Sequence, residues 1–303
     1  MASEGSYYVP EQSKLPLFAS LGMFVTVFGA ANWINGNESG FTLFACGLLI
    51  LFVTFWNWFS IVIKENMAGL NGAQLKRSYV WGMGWFIFSE VMFFAAFFGA
   101  LFYVRQLALP WIDGQGANAN TGALLWPEFA ADWPLLTTPQ EANPDAVYKG
   151  NSTYTGANEA MGWKGLPLIN TIVLLTSSVT VHFAHTALLK SNRKMFNIML
   201  GLTVLLGIGF LFLQVEEYVH AYQDLGLTLN AGIYGSTFFM LTGFHGAHVT
   251  MGTVMLLIMW LRSVFKGHFS HDDCFGFESA SWYWHFVDVV WVGLFIFVYI
   301  LGS

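Results

Sequence analysis

Seven long apolar runs, separated by polar intervals, set the pattern of this chain. They lie at roughly Pro16–Ile34, Phe41–Ile63, Tyr79–Val104, Leu166–Leu189, Phe196–His220, Gly232–Leu261 and Ala280–Leu301. A helix that crosses a bilayer needs about 20 mainly apolar residues, and these runs reach that scale. They are too long and continuous for the alternating strands of a membrane barrel, which run to about 10 residues. The pattern predicts an all-α transmembrane protein with seven spans. Two polar intervals stand out. Glu65–Ser78 is basic and reads as a linker between a two-helix hairpin, within residues 1–64, and a five-helix bundle, 79–303. Gln106–Gly165 is rich in Pro, Gly and Asn, and loops of that length usually carry function or meet a partner.

Composition agrees with the pattern. Of 303 residues, 55% are hydrophobic, 18% aromatic and only 10% charged. A soluble domain carries roughly 25% charged residues. The net charge of −6 gives no reason to expect nucleic-acid binding. Cys46 sits in an apolar run and Cys274 in a polar loop, so neither a disulfide nor a CxxC metal or redox motif is expected. The opening MASEGSYYVPEQSK lacks the basic-then-apolar order of a cleavable signal peptide. Asn151-Ser-Thr matches a glycosylation sequon, a weak signal by itself. There is no internal repeat of the kind that marks inverted-repeat transporters.

Lysine and arginine set the orientation. With the N-terminus inside, the inner segments hold Lys14, Lys64, Lys76, Arg77, Lys190, Arg193, Lys194, Arg262 and Lys266, nine of the twelve basic residues. The remaining three, Arg105, Lys149 and Lys164, fall in or beside the long outer loop. Seven spans then put the C-terminus outside.

Ionisable side chains within the membrane are costly and mark candidate sites. Glu90 stands alone in "GWFIFSEVMFFAAFFGALFYV", 11 residues beyond Tyr79 and therefore about 16 Å deep. It reads either as a neutral acid bonding to a neighbouring helix or as a proton-bearing carboxyl facing a water- or lipid-filled cleft. His182 and His185, His245 and His248, and His285 and Asp288 are each spaced i,i+3, which puts each pair on one helix face. His182, His185, His285 and Asp288 should share an inner-half depth. A di-iron bundle needs two Glu-x-x-His motifs plus two further Glu. The chain has one, Glu217-Tyr-Val-His220, so a di-iron site is not expected. Haem ligation would need paired His at matching depths on well-separated helices, which spacing alone does not decide. Hydrogen-bonded histidines that hold helices together are the preferred reading. Gly82, Gly84, Gly201, Gly207, Gly209, Gly243, Gly246 and Gly252 suit close helix approach. At the inner face Trp58, Lys64, Glu65, Arg262, Lys266 and His268 mark helix ends. They suit either anionic lipid headgroups or simple positive-inside anchoring. No nucleophile elbow, P-loop, dinucleotide fingerprint or zincin motif is present.

Three stretches carry a resemblance: "FIFSEVMFFAAFF" (86–98), "YGSTFFMLTGFHGAHVTMGT" (234–253) and "FGFESASWYWHFVDVVW" (275–291). Together they resemble subunit III of cytochrome c oxidase, a haem-copper terminal oxidase. The likeness covers Tyr79–Arg105 and Leu166–Ser303 well and the first two spans loosely. It implies seven helices arranged as two and five about a V-shaped, lipid-filled cleft. It also implies a non-catalytic subunit that binds no haem or copper of its own. Subunits I and II carry electrons from cytochrome c to oxygen and pump protons. Subunit III flanks subunit I and supports stability, proton uptake and oxygen access. Glu90 falls on the family's buried, carbodiimide-reactive carboxyl. Trp58, Lys64, Glu65 and Arg262 fall on positions lining the cleft, where phospholipids bind. Glu278, His285 and Asp288 match the last-helix motif, a structural polar network to which His245 and His248 are assigned as well. Ser60-Ile61 stand where the family has an Arg-Asp pair, which weakens headgroup assignments on that helix. The segment Asp272-Asp273-Cys274 replaces a more histidine-rich one. "YYVP" looks bacterial, which points to a bacterial plasma membrane. The loop 106–165 is longer than in mitochondrial relatives and is expected to meet an outer-face partner. The alternatives are the related subunit of a quinol oxidase, whose five usual spans do not fit the N-terminal hairpin, and a stand-alone proton-coupled transporter.

Overall fold

The structure is a computed structural model that describes residues 12–145, 154–271 and 273–302. The sequon and Asp272 lie outside the described residues. Seven helices are long and apolar enough to span a membrane, and no strand of a sheet occurs among the described residues. In chain order the helices are α1 Leu15–Ile34, α2 Gly40–Met67, α3 Ala73–Tyr103, the short α4 Leu109–Ile112, α5 Ala119–Leu125 and α6 Pro139–Ala142, then α7 Leu166–Leu189, α8 Arg193–Gln223, α9 Gly232–Lys266 and α10 Phe275–Leu294. A wider i→i+5 turn extends α3 through Val104–Ala108, and another carries α10 through Phe295–Ile300.

The long helices run past the apolar runs that predict them. Much of the expected polar linker 65–78 is helix, since α2 ends at Met67 and α3 begins at Ala73. The physical reason is that hydropathy marks the slab of hydrocarbon and not the end of hydrogen bonding. Lys, Arg, Gln and Glu are good helix formers and extend the helices beyond the apolar stretch.

The chain divides into two compact units, Met1–Gly84 and Trp85–Ser303, the boundary falling within α3. In the first, α1 and α2 pack with their backbones nearly touching. A Cβ on Gly29 would collide with the backbone of Phe44, and one on Gly47 with that of Thr26. Only glycine permits this approach, and it is the main source of adhesion where lipid tails remove the hydrophobic drive. Thr26 and Thr54 return their hydroxyls to Gly22 and Ile50 carbonyls, 2.7 Å each, so neither leaves a polar group in hydrocarbon.

In the second unit α10 is the core helix. Half of its spanning window is buried, against 11% for α1 and α2. Phe277, Tyr283, Trp284, Val287, Trp291, Leu294 and Tyr299 are fully buried along it. Trp284 lies between α8 and α9, where Gly207 and Gly252 leave space: a Cβ on either would come within 2.9 Å or 2.8 Å of the indole. Its Nε1–H donates to Ser177 Oγ on α7 at 2.9 Å. Trp291 Nε1–H donates to Thr171 Oγ1 at 3.0 Å. Two indoles thus tie α10 to α7. Of the glycines expected to allow close approach, Gly201, Gly207 and Gly252 do so, whereas Gly209 and Gly246 meet open space. Gly29 and Gly47, which let α1 and α2 approach, lie outside the expected set.

The loop 106–165 contains local structure. Thr138 caps α6: its Oγ1 accepts from Glu141 N–H, while Thr138 N–H donates to Glu141 Oε2 at 2.8 Å. The same carboxylate accepts Gly156 N–H at 3.0 Å and 3.1 Å, closing the loop on itself. Burial works to raise the Glu141 pKa, but these backbone bonds outweigh it and hold the carboxyl below its ordinary range. The loop is fixed to the helices by Met161 N–H donating to Tyr234 Oη and by Trp133 edge-on to the Tyr234 ring. Arg105 lies over the Trp133 ring and donates to the Leu301 carbonyl at 2.8 Å.

Candidate functional site

Glu90 lies near the midpoint of α3 and meets His248 of α9, with Oε2 2.9 Å from Nε2. The other ring nitrogen of His248 is 2.6 Å from the Phe244 carbonyl oxygen. A carbonyl can only accept, so Nδ1 carries hydrogen. Nε2 is then an acceptor in neutral imidazole and a donor in imidazolium. In the first case Glu90 is the protonated acid; in the second it is a carboxylate. Either way one proton lies between Nε2 and Oε2, and the pair is neutral as a whole.

Aromatic rings surround the pair. Phe94 stands edge-on to His248 at 5.0 Å, Tyr283 stacks at 6.4 Å, and Phe93 and Phe286 lie at 5.9 Å and 6.3 Å. The apolar wall of "SEVMFF" thus supplies the low-dielectric setting, and one turn of α9 supplies the partner. The Glu90 side chain keeps 23% of its surface exposed and that of His248 13%, so the pair is not sealed within the unit. The arrangement has room for a single proton between the two side chains, part of whose surface stays uncovered within the unit.

A second set joins α7 to α10. His185 Nε2 is 3.1 Å from Glu278 Oε1. Ser178 Oγ is 2.9 Å from His285 Nδ1, and Asp288 Oδ2 lies 3.6 Å from the same nitrogen. His182 is exposed, and neither of its ring nitrogens has a hydrogen-bond partner among the described residues. The shared depth of His182, His185, His285 and Asp288 therefore brings three of the four into contacts and leaves His182 apart.

His245 is fully buried and donates through Nε2 to the Val287 carbonyl at 3.2 Å, against Trp291. His248 belongs with Glu90 and not with this group. Sequence reasoning missed one further pair. Tyr299 Oη donates to Glu217 Oε1 at 2.5 Å, both residues fully buried. Glu217 entered only as half of an incomplete di-iron pattern. The available signal was Gln214 three residues earlier, which shares its buried helix face.

At the Lys266 end of α9, Arg193 donates to the His268 and Phe269 carbonyls at 2.9 Å and 2.6 Å. Arg262 Nε–H donates to His268 Nδ1 at 3.3 Å, and its guanidinium covers the Phe269 ring. Burial, then the charges of Arg262 and Lys266, hold the His268 imidazole below its usual pKa. Lys266 is exposed. Trp58, Lys64 and Glu65 belong to the first unit, on the last turns of α2. Cys46 and Cys274 are free thiols, and burial followed by Glu278 pushes Cys274 up to about 11. Among the described residues, no group of three or more His, Cys, Asp or Glu could hold a metal.

These features define a helical integral membrane protein whose polar chemistry consists of paired side chains between helices. The sequence model of the family described as Cytochrome c oxidase subunit III matches residues 5–113 and 151–303. Cytochrome c oxidase subunit 3 of Drosophila melanogaster is 37% identical over 302 residues, covering 99% of this chain and 98% of that protein. The rabbit protein of the same name, from Oryctolagus cuniculus, is 36% identical over 299 residues, 98% of each. The horse protein, from Equus caballus, is 36% identical over 301 residues. The chain belongs to the cytochrome c oxidase subunit III family. It is accordingly part of an oxidoreductase complex of aerobic respiration, and the quinol-oxidase and transporter alternatives gain nothing from these matches.

Proposed function

We propose that this chain is a non-catalytic subunit that flanks subunit I of the oxidase, retains phospholipid and supplies a proton-holding pair, Glu90–His248, for proton uptake. Haem and copper reside in the partner subunits I and II. The observation that carries the reading is the Glu90–His248 contact at 2.9 Å in a partly open aromatic setting. Such a pair stores one proton without a net charge in hydrocarbon, where a lone charge is costly. Arg262, Lys266 and His268, and separately Trp58, Lys64 and Glu65, suit anionic headgroups by their place at helix ends. The polar network of His245, Glu278, His285 and Asp288 is proposed as structural.

Glu90→Gln tests the role. The Gln amide can donate to His248 Nε2 and so preserves the contact, but it cannot release a proton. The variant is expected to assemble with full haem content and to keep electron transfer within about twofold, an effect well under 1 kcal/mol. Loss of nearly all oxidase activity in an assembled, haem-complete variant would exclude a supporting role and make the pair obligatory.

We further propose a bacterial plasma membrane and an outer-face partner for the loop, another oxidase subunit or an electron donor. The membrane is proposed from the YYVP stretch; the loop partner is supported by residues 114–150 falling outside the family match, in a segment with its own capped helix. Deleting 114–150 is expected to weaken donor kinetics or assembly. Unchanged assembly and donor kinetics would remove this role.

A further inference from the structure

Four buried residues in the outer half of the five-helix unit share one feature. Both amide atoms of Asn170, both of Gln214, Oε2 of Glu217 and Nδ1 of His245 are shielded from solvent and have no hydrogen-bond partner among the described residues. None of the four residues is more than 5% exposed. They come from α7, α8 and α9, yet the packing brings them to one level. Phe210 of α8 stands edge-on to Trp291 of α10 at 4.8 Å, and Glu217, two turns further along α8, meets Tyr299. Gln214 lies midway on the same buried face, so it falls between the Trp291 and Tyr299 rings, whose centroids are 5.8 Å apart. The His245 ring is 5.0 Å from Trp291. Register places Asn170. Thr180 Oγ1 of α7 meets Thr203 Oγ1 of α8 at 2.8 Å across an antiparallel pair. Asn170 precedes Thr180 by ten residues and therefore stands opposite Leu213 and Gln214, about ten beyond Thr203. Its chain neighbour Thr171 accepts from Trp291 Nε1–H.

The chemistry of the set selects its partner. Asn170 and Gln214 each offer an NH2 donor and a carbonyl acceptor, and His245 Nδ1 is an acceptor because Nε2 carries the hydrogen. Lipid tails satisfy none of these groups. A molecule that both donates and accepts satisfies all of them, and water is the one that native interiors use, making about three bonds to such groups. Water on Oε2 leaves the Glu217 Oε1 bond to Tyr299 direct. There is also a way in. A groove of about 330 Å³, lined in part by Pro167 and His220, opens one turn beyond Asn170 and Glu217.

We propose that this unit holds a cluster of internal water molecules among α7, α8, α9 and α10, bonded to Asn170, Gln214, Glu217 Oε2 and His245 Nδ1. The cluster fastens three helices to one another through shared hydrogen bonds and keeps the buried Glu217 carboxyl hydrated. It is independent of the proton-holding role of Glu90–His248.

Radiolytic labelling of the intact, haem-containing complex tests the proposal. A synchrotron pulse turns ordered water into hydroxyl radicals, which oxidise the side chains beside it even where bulk solvent is excluded. Trp291 and Tyr299 border the cluster and are fully buried. Phe196 and Phe277 are buried as fully and pack edge-on at 4.9 Å in an apolar setting, which makes them the dry controls. With each rate divided by that of the same residue type in a free peptide, Trp291 and Tyr299 should be oxidised several-fold faster than the two controls. Rates no greater than those of Phe196 and Phe277 would overturn the proposal and leave the two amides to bond each other. Gln214→Leu supplies a second readout of opposite sign for the two cases. An amide buried without any partner gains stability when Leu replaces it, whereas a water-bonded one loses it, because the waters and Asn170 lose a partner. The variant should therefore lower the thermal midpoint of the complex and slow oxidation of Trp291 and Tyr299. A midpoint unchanged or raised would contradict the cluster, and labelling of the unmodified complex decides the matter where the variant does not assemble.

Discussion

Glu217 and Tyr299 show what a single polar pair does in this fold. The Tyr299 hydroxyl donates to one carboxyl oxygen at 2.5 Å, and the other oxygen, Oε2, has no partner among the described residues. Removing the hydroxyl leaves a buried acid without its one side-chain bond, a loss of about 1–3 kcal/mol. Tyr299→Phe should therefore lower the thermal midpoint of the assembled protein. Replacing both partners removes the stranded group, so Tyr299→Phe with Glu217→Leu should recover most of the loss in the same melt. A double variant no more stable than the single one would show that the pair matters by shape and not by its bond. Individual roles were the least legible level of the sequence. Glu90 was evident because a lone acid in an apolar run has few explanations. Its partner was not, because periodicity places His248 on a helix face without saying which helix that face meets.

At the scale of elements, the seven spans were legible because bilayer thickness forces long apolar runs. Their ends were not, since helix hydrogen bonding continues through Lys64–Met67 and Ala73–Ser78 regardless of polarity. Close packing at Gly29 and Gly47 was also hidden, because many glycines in membrane helices pack nothing, Gly209 and Gly246 among them. The loop before α7 carries structure that Pro, Gly and Asn content alone concealed. Its closure depends on Glu141 as an ionised acceptor of the Thr138 and Gly156 N–H groups. The folded pKa lies below the unfolded one, so this stabilisation is fully present above the ordinary glutamate range and is lost as pH falls through the depressed value. Hydrogen-exchange protection of the Gly156 amide should fall across that acid window in the native protein. In Glu141→Gln it should be low throughout. Protection that is independent of pH and unaffected by the substitution would show that other contacts hold the loop.

For the whole molecule, the proposed supporting role rests on how its polar side chains are paired. The polar side chains between helices occur in pairs such as Glu90–His248, His185–Glu278 and Tyr299–Glu217, each placed to join two helices. Family membership supplies the complex in which such a chain works. The most direct measurement is purification in mild detergent through a tag on this chain, followed by a subunit gel and a reduced-minus-oxidised optical spectrum. Haem bands and co-purifying larger subunits are expected, with the haem remaining on those partners when this chain is stripped away by harsher detergent. A monodisperse, partnerless, haem-free protein would contradict it.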